Sequence, residues 1–124
     1  MPVEYVLEQD GAFVRVTARG PITWEEIHDF LLKLGADPAL KSDHVTLFDA
    51  REATAERLEG GGFDRTLEIE RGNLDKLVAR KMAIVVRDEA LHAMALKYKF
   101  LAPTVGEPTH VFHDLEDALL WLSY

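Results

Sequence analysis

The run Lys81 to Asp88, Lys-Met-Ala-Ile-Val-Val-Arg-Asp, constrains the fold more than any other stretch of the chain. From Met82 to Val86 it is apolar at successive positions and rich in β-branched residues, whereas a strand with one wet face alternates. Such a run needs cover above and below, and helices on both faces of a largely parallel sheet supply it. It is therefore expected to be the central strand of an α/β fold, with Arg80, Lys81, Arg87 and Asp88 marking where it leaves the core.

The segments before this run fit the same plan. Tyr5 to Glu8 and Ala12 to Thr17 read as strands separated by Gln9-Asp10-Gly11. Asp-Gly between two such runs signals a hairpin, because glycine accepts the positive φ of a tight turn. Gly20-Pro21 is expected to stop the second strand, and Thr23 with Glu26 three residues on has capping-box spacing. A helix should follow from Trp24 to Leu34, with Ile27, Phe30, Leu31 and Leu34 on one face and Gly35 ending it. After a polar loop, His44 to Asp49 reads as a strand with Asp49 at its C-terminal end.

Gly60-Gly61-Gly62 reads as a loop and not as a phosphate cradle, because Phe63-Asp64-Arg65 follows where a P-loop needs Gly-Lys-Ser/Thr. Arg65 to Arg71 and Leu74 to Ala79 look helical with a break at Gly72-Asn73, and their alternating charges suit a solvated face. Beyond the apolar run, Asp88 can cap a helix from Glu89 to Leu101 whose inner stripe holds Leu91, Met94, Ala95, Tyr98 and Leu101. Lys97 and Lys99 suit a last helical turn, where they complement the dipole. Pro103 is expected to end that helix. Thr109 to Phe112 forms a short strand, and Asp114 caps a final helix turning Leu115, Ala118, Leu119 and Leu122 inward. The order is β-β-α-β-α-β-α-β-α, a mixed but mostly parallel sheet with an N-terminal hairpin, its first strand antiparallel at an edge.

Composition narrows the functional classes. With 124 residues, 48% hydrophobic and 29% charged, the chain reads as one domain over 1–124, large enough to bury roughly two-thirds of its unfolded surface. A net charge of −8 disfavours nucleic acid and anionic membrane surfaces as partners. No stretch approaches the ~20 apolar residues of a membrane span, and the N-terminus lacks a secretory signal. The absence of cysteine excludes disulfides, thiolate metal sites and Cys nucleophiles, and points to the cytoplasm.

In open α/β sheets ligands sit in the crevice at the carboxyl ends of the strands. Asp49, Arg51, Glu52 and Thr54, with Asp88 at the end of the next strand, are therefore the candidate ligand- or partner-binding residues. The commoner role of an Asp closing a strand is to cap the loop. His110 and His113, three apart on a strand, fall on opposite faces and are poor joint metal ligands. His113 beside Asp114 has the form of an oriented base, but no Ser or Cys nucleophile accompanies it. No catalytic residue, metal or cofactor is expected.

Four stretches together resemble the SpoIIAA-like group of the STAS/SEC14 domain superfamily: Gly20-Pro21-Ile22-Thr23, Val45 to Arg51, Lys81 to Val86, and Val111 to Leu122. The resemblance covers essentially the whole chain and implies a β-α superhelix working through protein contacts or ligand sensing. The antagonists of that superfamily carry a phosphorylatable serine just after the strand matching Val45 to Asp49. Here the chain reads Asp49-Ala50-Arg51-Glu52-Ala53-Thr54-Ala55, and its only serines are Ser42 and Ser123, so no phosphorylation site is expected.

The expectation is a non-catalytic module that binds a protein partner or a small apolar ligand or lipid. A homodimer would run through an exposed apolar helix face or the hinge near Gly60 to Gly62. The alternative is a small enzyme using Asp49, Arg51 and Glu52, which requires a concave pocket lined by those side chains.

Overall fold

The computed structural model describes residues 2–102 and 106–123. Five strands, β1 (Val3–Glu8), β2 (Phe13–Pro21), β3 (Val45–Thr54), β4 (Lys81–Val86) and β5 (Thr109–Phe112), lie side by side in chain order. β1 pairs with β2 antiparallel and every later pair is parallel. The helices are α1 (Trp24–Gly35), α2 (Gly62–Arg71), the single turn α3 (Leu74–Leu77), α4 (Glu89–Leu101) and α5 (Leu115–Leu122). This is the expected α/β order, with the second helical segment broken at Gly72-Asn73 as its sequence suggested.

A sheet that always grows in one direction, through crossovers of one hand, carries every crossover helix on the same face. Phe30 and Leu34 of α1, Phe63 and Ile69 of α2, and Leu91, Ala95 and Tyr98 of α4 accordingly share one core with Val14, Val16, Ile84 and Val86 of the sheet. Among the described residues only α5 packs on the opposite face, where Ala118 and Leu122 meet Phe13, Val45, Leu47, Ala83 and Val85. β4 thus has cover on both faces, Ile84 and Val86 turned one way and Ala83 and Val85 the other, as its unbroken apolar run requires. It is an interior strand but not the middle one. That place belongs to β3, whose alternation is diluted by Asp49, Arg51 and Glu52.

The helix caps formed where their sequence signals lay. Thr23 accepts from the Glu26 amide and Glu26 reaches back to the Thr23 amide at 2.8 Å, closing the capping box. Asp88 accepts from the Leu91 amide at 2.9 Å and Asp114 from that of Glu116 at 2.8 Å. Pro103 lies outside the described residues.

Two strand ends were placed differently by the sequence. Gly20-Pro21 does end β2, but as its last paired residues and beyond the Thr17 limit of the sequence reading: Gly20 adopts φ +67 inside the strand, after a register shift between Thr17 and Arg19, and pairing continues to Pro21. β3 likewise runs five residues past Asp49 to Thr54, because β2 extends alongside it and satisfies its backbone as far as the Pro21–Thr54 pair. The β1–β2 turn uses more left-handed backbone than Asp-Gly alone implied, since Gln9, Asp10 and Gly11 all have positive φ. Gly11 is also the one residue that fits there, because a Cβ would collide with the Ala39 carbonyl oxygen.

Candidate functional site

Between the sheet and its crossover helices lies a cavity of about 110 Å³. β3 and β4 form its floor with Phe48, Ala50, Met82 and Ile84, while α1 supplies Trp24, Ile27 and Phe30 to its walls. Phe63, Leu91 and Met94 complete a lining that is almost wholly hydrocarbon and aromatic. Protein interiors hold few voids larger than a water molecule, so a space of this size against the principal core is the candidate site.

Its polar end is built from three residues far apart in the sequence. Glu70 of α2, Tyr98 of α4 and Glu107, just before β5, converge there and are each at least nine-tenths buried. The Tyr98 hydroxyl lies 2.9 and 2.8 Å from the two Glu70 carboxyl oxygens and 2.8 Å from Glu107 Oε1. The other Glu107 oxygen accepts from the Ala79 amide at 2.9 Å.

A phenol has one proton to give. If it donates to one carboxylate, the other carboxyl must hold a proton of its own and donate to the phenol oxygen. The geometry therefore keeps at least one of the two acids neutral. Electrostatics agrees: burial pushes Glu70 well above the carboxylate range, the charge of Glu107 adds to this, and the Tyr98 hydrogen bond only partly offsets it. Burial likewise raises Glu107 against the opposing hydrogen bonds from Ala79 and Tyr98. Tyr98 itself is pushed up by burial and by both acids, so it stays a neutral donor.

On the same lining, the Trp24 indole N–H is buried with no acceptor among the described residues. Trp24 is held flat against the start of α2, where Gly62 leaves room for the ring that any Cβ would occupy. From α1, His28 spends its Nε2 on the Gly62 carbonyl and Thr66 hydroxyl, at 3.1 and 3.0 Å.

The residues expected to form a site lie elsewhere. Because β3 continues past it, Asp49 sits within a strand, on the α5 face with Val45 and Leu47, and not at a strand terminus. Arg51 grips it with two hydrogen bonds of 2.9 and 2.8 Å. Burial alone would raise Asp49, but the hydrogen bonds and charge of Arg51 outweigh it and hold the carboxyl below its usual range. Glu52 is exposed and paired with Arg19 at 3.3 Å, and Thr54 bonds Glu56 at 3.2 Å. Asp88 is committed to the α4 cap and to the Ala55 amide at 3.3 Å. None of the five lines the cavity. His113 places Nδ1 3.1 Å from the Val86 carbonyl and its ring against His92.

Glu70 overturns the reading of α2 as a solvated, charge-alternating helix. It falls on the stripe of Phe63 and Thr66, three and seven residues along one face, and that spacing was the available signal. Glu107 lies between Gly106 and Pro108, where nothing local marks burial.

The strand order, the single antiparallel edge and the one-sided crossover helices define a SpoIIAA-like α/β fold, the fold that the sequence resemblance implied. A solved structure with this architecture is that of an uncharacterised protein of the DUF3478 family with a SpoIIAA-like fold from Shewanella loihica PV-4, which matches with a TM-score of 0.60 over 97% of this chain and 91% of that one. The two share 20% sequence identity, so the likeness speaks for the fold. No family model matches the sequence, and no curated protein matches it. No helix among the described residues is long and apolar enough to cross a membrane.

Proposed function

We propose that the domain is a non-catalytic sensing module, working in the cytoplasm, that binds a small apolar ligand in the cavity beneath α1, α2 and α4 and presents the occupied state to a protein partner. One observation carries this reading: about 110 Å³ of space bounded by apolar side chains between the sheet and three helices, its walls drawn from buried and partly buried residues of the principal core. Apolar cavities stay dry and take up apolar guests, and one of about 150 Å³ accommodates benzene. The present cavity therefore suits a guest of about five or six heavy atoms, which favours a small molecule over a lipid acyl chain.

The enzymatic alternative has less support. Asp49 and Arg51 neutralise each other, and Glu52 points to solvent with Arg19. Acid–base chemistry needs a group free to exchange a proton with substrate in a concave site, and Asp49, Arg51 and Glu52 do not offer one.

Native mass spectrometry of the purified protein tests the proposal. The expected result is a small adduct lost on denaturation or, for protein recovered empty, a rise in Tm with benzene-sized apolar probes that Ala50→Val abolishes. Absence of both an adduct and a Tm response would remove the reading.

A further inference from the structure

The ligand's polar group follows from what the cavity presents to it. Neither carboxyl at its end is held by a cation among the described residues: Glu70 answers to burial, Glu107 and Tyr98, and Glu107 to burial, the Ala79 amide and Tyr98. From the elements packed around them, His28 of α1 is spent on Gly62 and Thr66, and Lys97 of α4 lies 5.6 Å from the centre of the Phe63 ring. The sheet contributes only apolar groups and Thr46 to the lining. Two acids thus share a phenol at one end of a chamber whose walls include Trp24, Phe30, Phe48 and Phe63.

An anionic guest would meet like charge or displace buried protons with nothing to balance it. A neutral guest would leave the acids as they are. An ammonium group uses both features at once, because aromatic faces attract cations and a carboxylate pair accepts N–H donors.

We propose, building on the cavity reading above, that the ligand is a small hydrophobic amine bound as its ammonium ion, with its nitrogen against the Glu70 and Glu107 carboxyls beside the Tyr98 hydroxyl that bridges them and its hydrocarbon part among the aromatic walls. The ammonium N–H groups donate to the carboxylate oxygens. The proton that one carboxyl held leaves to solvent, and Tyr98 keeps its single O–H as a donor to whichever oxygen remains uncontacted. One positive charge enters and one proton departs, so the net charge of the buried site is conserved. That exchange spares the protein an uncompensated buried ion.

Isothermal titration calorimetry at pH 7, in two buffers of different ionisation enthalpy, with butylamine, 1-butanol and butyrate as matched probes, tests this. The expected result is butylamine binding at least tenfold tighter than butanol, no stronger binding of butyrate than of butanol, and release of close to one proton per amine bound. In Glu70→Gln/Glu107→Gln the preference for amine should vanish while butanol binding persists. Butanol binding as tightly as butylamine, or amine binding without proton release, would overturn the ammonium assignment and leave the cavity reading standing. Tighter binding of butyrate would overturn it as well. Failure of all three probes to bind folded wild-type protein would remove the cavity reading and this inference together. Should the double variant not fold, the wild-type proton count and Glu70→Gln alone still decide.

Discussion

On the α5 face of the sheet, Asp49 lies half-buried against Arg51 and is held below the ordinary carboxylate range. On the other face, Glu70 and Glu107 meet a phenol in place of a guanidinium and are held above that range. The same functional group on the two sides of one sheet has been driven in opposite directions, and the difference lies in the partner and the depth. A cation beside a partly wet carboxyl stabilises its charge, whereas a dry pocket with a single hydroxyl stabilises its proton. The first arrangement is a satisfied structural pair. The second keeps acid groups in an uncharged, exchangeable state within a cavity, which is the condition for exchanging a proton against a bound cation.

The largest effect that would sharpen this contrast is in the pH dependence of stability. Unfolded, Glu70 and Glu107 titrate at the ordinary 4.5; folded, they are raised to about 8 and about 7. Below pH 4.5 both states hold the protons and the acids cost nothing. Between there and pH 7 the unfolded chain has released them and the folded chain still holds them; folded Glu107 then lets go near 7 and Glu70 near 8, so stability falls as pH rises through that window and levels off above it. Urea denaturation should show a loss on the order of 6 kcal/mol between pH 5 and 8, and Glu70→Gln should flatten the slope by about half. A flat wild-type profile would mean the two faces do not differ in this way.

Next in size is a contrast in packing. Ala83→Val adds two methyl groups to the tightly filled α5 face and should cost about 1–3 kcal/mol in the same measurement. Ala50→Val adds them beside the cavity and should be neutral or stabilising, by up to ~1 kcal/mol. Equal losses at both positions would argue that the cavity is not available space. Smallest is the Asp49–Arg51 pair. Asp49→Asn should lower stability at pH 7 by less than about 1 kcal/mol. The sign with pH is opposite to that of the buried acids: the contribution of Asp49 is present above the usual carboxylate range and disappears as pH falls through its depressed folded value.

Much of the architecture was legible because its signals are local. The apolar run of β4, the Thr23–Glu26 capping box and the Asp88 and Asp114 caps each depend on residues within a few positions of one another. The extension of β3 beyond Asp49 was not legible, since it depends on β2 continuing beside it and on a register shift that neither strand encodes alone. The polar end of the cavity was hidden for the same reason. Glu70, Tyr98 and Glu107 come from two helices and a loop, and each taken singly reads as an outward acid, a core aromatic and a loop acid. Only the spacing of Glu70 from Phe63 and Thr66 betrayed that it points inward. The fold-level likeness located the scaffold but could not supply these residues, because the resembling stretches leave out Glu70, Tyr98 and Glu107 altogether.

The chain's two indoles divide between the two faces. Trp24 borders the cavity and lies against Gly62, whereas Trp121 packs on the α5 side against His110, with the Lys81 ammonium 5.1 Å from its ring centre. Replacing Trp121 with Phe would leave a protein whose tryptophan emission arises beside the chamber alone. The molecule therefore carries its own optical reporter of whatever enters.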